Sequence, residues 1–133
     1  MNLKNLFIIS ALVASLLGLG LILAPVPLMT ARTGQPPDIL AAHVARQFGI
    51  AMLAIGVISW KARNASDSAA RNGIVVGSTL VYVLLPIETV ISIVRGSESV
   101  EGFVLVAVFG LLAVGFILIG KPKLNFISIT AQG

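Results

Sequence analysis

The chain has 133 residues, of which 57% are hydrophobic and 11% charged, whereas soluble domains carry about 25% charged residues. Nine Lys/Arg and five Asp/Glu are too few to cover a water-soluble fold of this size, so a soluble enzyme is excluded and the composition is that of an integral membrane protein. With no cysteine and a single histidine, disulfides, thiol nucleophiles, thiolate metal sites and clusters of several histidine ligands within one chain are excluded as well.

The net charge is +4 and the isoelectric point about 10.2. The basic residues nevertheless stand singly at the ends of apolar runs and form no patch, which argues against a nucleic-acid partner and for a role in topology.

Residues 5–24 carry no charge and match the roughly 20 residues that cross a bilayer as a helix. The run ends at Pro25-Val26-Pro27. It reads as a permanent span, because it is too long for a signal-peptide core and has Ile22 where a small residue should precede a cut. A polar, proline-containing connection follows, in which Asp38 is a helix N-cap before the next apolar stretch. The second span covers residues 39–60. Its uninterrupted apolar part, residues 48–60, is too short to cross alone, so the span takes in His43, Arg46 and Gln47. A polar turn at 61–68 leads to the third span, residues 73–94, which contains Glu88 and also Pro86, whose missing N–H leaves the Tyr82 carbonyl without its helical donor. A second turn at 95–101 precedes the fourth span, residues 102–120, which ends at Lys121-Pro122-Lys123. The expected fold is all-α, one domain, a four-helix membrane bundle.

Lys4, Lys61, Arg63, Arg71, Lys121 and Lys123 fall on one side of this arrangement and only Arg32 and Arg95 in the loops of the other. The positive-inside rule then places both termini in the cytoplasm and the chain in the inner membrane. Small residues suited to close helix contact recur in every span, most regularly as Ala42, Ala45, Gly49 and Gly56 in the second.

Two opposite charges lie at matched depth. Arg46 is about 12 Å below Asp38 and Glu88 about 10 Å below Arg95, at 1.5 Å per residue. An ionisable group at such depth needs a partner, and an Arg46–Glu88 ion pair between the second and third spans would supply one. With His43, Gln47 and Ser92 nearby, the expectation is a polar pocket opening outward. Glu98 and Glu101 read as solvated loop residues, Trp60 as an interfacial anchor and Tyr82 as packing.

The string Ala45-Arg46-Gln47-Phe48-Gly49, with the apolar run that follows it to Trp60 and the proline-ended span before it, resembles small four-helix bacterial membrane proteins of the DoxX-like kind. The resemblance implies the same helical membrane fold and an association with quinone-linked or envelope processes. It points to no reaction.

Three functions fit these residues. The first is a non-catalytic membrane protein that holds a membrane lipid, another lipophilic molecule, a partner subunit or a second copy, through His43, Arg46, Gln47, Glu88 and Ser92. The second is an enzyme acting on a quinone or isoprenoid, with His43 or Glu88 as acid/base and Arg46 as an electrophilic clamp. The third is a proton-coupled transporter using Glu88. No cofactor motif and no metal-ligand set is present.

Overall fold

A computed structural model describes residues 2–122, so Lys123 and the tail after it lie outside the described residues. The described residues are helical throughout their ordered elements: α1 (Leu3–Leu23), α2 (Pro25–Thr33), α3 (Ile39–Ala62), α4 (Ala69–Val94) and α5 (Gly102–Gly115), the last continued by a π-helical turn over Phe116–Gly120.

The starts of three long helices are set by side-chain caps that satisfy otherwise free N–H groups. Asn2 accepts from the Asn5 N–H at 3.0 Å, Asp38 from the Ala41 N–H at 2.7 Å and Ser68 from the Arg71 N–H at 3.2 Å. Asp38 therefore caps as its position predicts. Ser68 starts α4 at Ala69, four residues before the expected boundary at Gly73.

The connection after the first span differs more. Residues 25–33 form a helix of their own, because Pro25 occupies the first helical position, where its missing N–H costs nothing. Thr30 and Thr33 return their hydroxyls to the carbonyls of Val26 and Met29, at 2.8 and 3.0 Å. Gly34, at φ +75°, ends the helix with its N–H on the Thr30 carbonyl.

Four helices, α1, α3, α4 and the continuous Gly102–Gly120, are long and apolar enough to cross a membrane. Their outer surfaces agree with that: Leu16, Leu111 and Leu118 are 70%, 75% and 66% exposed, a facing that water penalises and hydrocarbon does not.

The helices are arranged as two tight pairs, α1 with α3 and α4 with α5, joined by slim contacts of α3 with α4 and of α1 with α5 and its π-helical turn. The first pair is antiparallel and unusually close. A Cβ placed on Gly18 would lie 2.7 Å from the Gly49 carbonyl oxygen and the Leu53 nitrogen, and one on Gly49 would lie 2.8 Å from the Gly18 carbonyl oxygen. Gly56 likewise lies against Ser15 and the Ala11 carbonyl. Backbone approach of this kind is how helices gain dispersion energy where lipid offers no hydrophobic drive.

Aromatic rings hold the second pair together, and one of them, Phe116, also meets the first pair. Tyr82 stacks between Phe109 and Phe116, with centroids 5.9 and 5.7 Å away, and Phe7 meets Phe116 edge-on at 5.5 Å. The Tyr82 hydroxyl lies 2.8 Å from Ser10 Oγ, which is 3.1 Å from Ser59 Oγ. All three side chains are essentially inaccessible, so this polar cluster ties α1, α3 and α4 together in the apolar interior.

Candidate functional site

The slim α3–α4 contact leaves space, and the space defines the site. Around α3 at 3.6 residues per turn, Ala42, Ala45, Gly49, Met52 and Gly56 are buried and form the stripe on which α1 packs. Leu40, Ala41, Val44 and Phe48, on the flank toward α4, instead line a cavity of about 530 Å³. Glu88 and Ser92 of α4 form its opposite wall, Leu21 of α1 and Met29 of α2 add apolar surface, and Arg32, Thr33, Asp38, Ser97 and Glu98 surround it at the end where α2 lies. A smaller chamber of about 180 Å³ shares Arg32, Phe48 and Glu88 with the first and reaches inward to Leu17, Leu85 and Leu105.

An ion pair closes the α2 end. Arg32 donates from its guanidinium to Glu98, whose side chain is only 5% exposed. The backbone supports the pair, because the Ser99 N–H bonds the Arg32 carbonyl at 2.6 Å and Ser99 Oγ approaches the Ala31 carbonyl at 3.4 Å. The α4–α5 loop is thus fastened to the last turn of α2, and Glu98 is not the solvated loop residue expected from sequence. A carboxylate in a loop gives no local signal of this; its partner is 66 residues away.

Only part of the expected constellation comes together. Glu88 accepts from the Ser92 hydroxyl at 2.7 Å, one turn along α4. His43 and Gln47 also meet, with their Nε2 atoms 3.2 Å apart. The Arg46–Glu88 pair is not formed: it is Arg32 that pairs with a carboxylate at this end, Glu98, and His43, Arg46 and Gln47 line neither chamber. The reason is rotational. Arg46 borders the small-residue stripe, as its spacing requires, but on the flank away from α4, roughly 160° around the helix from Val44 at 100° per residue. His43 and Gln47 fall between these directions, exposed on the outer surface of α3.

At the opposite end of the bundle Trp60 is 45% exposed and carries the Arg63 guanidinium 3.8 Å from its ring centroid, an arrangement suited to an interface. Between Ser59 and Ile55 on α3 and Gly73, Gly77 and Ser78 on α4 lies a second groove, of about 380 Å³. Among the described residues no group of three or more His, Cys, Asp or Glu side chains is placed to hold a metal ion.

Fold and site together define an all-helical protein with four helices able to cross a membrane and a polar-edged cavity between two of them. More narrowly, the chain belongs to the family described as domain of unknown function DUF8292, whose model matches residues 8–127. No curated protein and no solved structure matches it.

Proposed function

We propose that the protein is an integral membrane protein that binds an amphiphilic small molecule in the cavity between α3 and α4, without transforming it. The observation that carries this reading is the composition of the cavity wall. Apolar side chains from α1, α2 and α3 make up its body, while Glu88 and Ser92 add polar groups on the α4 wall and Arg32 and Glu98 at the α2 end. A volume of about 530 Å³ falls within the roughly 300–1,000 Å³ of small-molecule sites, which are likewise mostly apolar with a few placed polar groups. A lipid-dissolved molecule can enter sideways, tail against Val44 and Phe48 and head at the polar groups.

The same proposal sets the orientation. Lys4, Lys61, Arg63, Arg71 and Lys121 share the end opposite α2, so the positive-inside rule puts that end in the cytoplasm and the cavity in the outer half of the inner membrane.

The test is to fill the cavity. Val44 faces it and is 53% exposed, so Val44→Trp occupies space without invading the α1–α3 interface. Native mass spectrometry of protein purified in a mild nonionic detergent should show small-molecule adducts on the wild type and their loss in Val44→Trp. Identical adducts on both proteins would sink the reading.

A further inference from the structure

We propose that the cavity selects a cationic amphiphile, an ammonium head on an apolar tail, and disfavours anionic ones; this rests on the binding reading above. Four ionisable side chains line the larger chamber: Arg32, Asp38, Glu88 and Glu98. The single cation is already engaged, since Arg32 is paired with Glu98. Two carboxyl groups remain.

They are not equivalent. Asp38 accepts the Ala41 N–H at the start of α3, where the free amides of a helix N-terminus carry partial positive charge that offsets an acid. Glu88 has no such compensation. It sits within α4, six residues before the helix end, and its contact is the neutral hydroxyl of Ser92. Arg46 and Arg95 line neither chamber, so no other cation of the α2 end reaches this wall. The formal charge of the cavity is therefore negative, Glu88 is the lining carboxyl engaged by neither an ion pair nor a helix N-terminus, and low surrounding dielectric strengthens attraction for a cation and repulsion of an anion.

The rest of the wall suits the same head group. Phe48 borders both chambers together with Glu88, and an aromatic ring beside a carboxylate is the combination by which proteins hold ammonium groups. Ser92 and Ser97 provide hydroxyl oxygens near the head, while Leu21, Met29 and Val44 provide the surface for the tail. A carboxylate- or phosphate-headed molecule would meet in Arg32 a cation whose charge Glu98 already offsets, with the Glu88 carboxyl lining the same smaller chamber.

The experiment compares four probes of equal chain length on the full chain in nonionic detergent: decyltrimethylammonium, decylamine, decanol and decanoate. Affinities are measured by calorimetry, with Val44→Trp as the baseline for partition into the micelle. Both ammonium probes should bind at least about tenfold more tightly than decanol, and decanoate more weakly than decanol; a tenfold ratio is about 1.4 kcal/mol. Glu88→Gln should remove the advantage of the ammonium probes over decanol. Decanoate binding as well as the ammonium probes, or a cation preference that survives Glu88→Gln, would overturn the proposal. Equal affinity of the wild type for all four would overturn the charge preference and leave the cavity reading standing, whereas no binding above the Val44→Trp baseline by any probe would overturn both. The wild-type series decides the matter even if Glu88→Gln does not fold.

Discussion

Gly18→Ala tests the closest contact in the fold. The added methyl would lie 2.7 Å from both the Gly49 carbonyl oxygen and the Leu53 nitrogen, and an ordinary contact begins near 3.4 Å. Both obstacles are backbone, so no side chain can swing aside and α1 must move away from α3 by about 0.7 Å. A gap of that order forfeits roughly a quarter to a half of the dispersion energy of the atoms lining it, and overpacking of a tight interface costs about 1–3 kcal/mol. The control is Gly77→Ala, where nothing lies within 4 Å of the new methyl. Both substitutions gain the same helix propensity, up to about 1 kcal/mol, so propensity cancels in the comparison. Unfolding by denaturing detergent titrated into mild micelles should find Gly18→Ala less stable than Gly77→Ala by about 1–3 kcal/mol. Equal stabilities would refute the close approach of α1 and α3, and with it the rotation of α3 that leaves Val44 and Phe48 facing the cavity.

Tyr82→Phe removes the hydroxyl that reaches Ser10 but keeps the ring stack, so it should cost only about 0.6–1.7 kcal/mol, the range of single interhelical hydrogen bonds in membranes; a larger loss in the same unfolding assay would mean that the cluster acts cooperatively. Tyr82→Ala, which empties the space between Phe109 and Phe116, should cost about 3–5 kcal/mol. Arg32→Ala should loosen α2 by about 1.5–2 kcal/mol, the lower part of the range for a charge-assisted bond, because Arg32 is 35% exposed and water screens it. Hydrogen exchange should rise in α2 and the α4–α5 loop while α1 and α3 stay protected, and Arg32→Ala with Glu98→Ala should be milder than Arg32→Ala alone, since no carboxylate is left unpaired. The orientation can be read by single cysteines in a chain that has none of its own: with a membrane-impermeant maleimide on intact cells, Gln35→Cys should label and Asn64→Cys should label only after lysis, and the reverse pattern would invert the topology.

Hydropathy and caps are local properties, and they carried the four long apolar helices with little error: the second begins at Ile39 behind Asp38, and the fourth covers Gly102–Gly120, as read from the sequence. The helix over Pro25–Thr33 was less legible, because its composition is that of a loop and its stability comes from a proline start, two threonine hydroxyls and its fastening to Ser99 and Glu98.

The scarcity of charge by itself determined that Glu88 and Arg46 stand within long apolar helices, and their spacing determined which stripe each borders. Only the tertiary structure decided that they do not meet. A helical wheel fixes the angle between residues of one helix but not which neighbour takes which flank. Here the glycines of α3 are matched to Gly18 and Ser15 of α1, so α1 takes the stripe, α4 is left to one side of it and Arg46 to the other. Glu88 thereby faces a cavity whose one arginine is committed to Glu98. That pairing joins residues far apart in the chain, through loops whose course no local pattern records, and it is what turns a shared polar level in the sequence into an acidic-edged cavity in the fold.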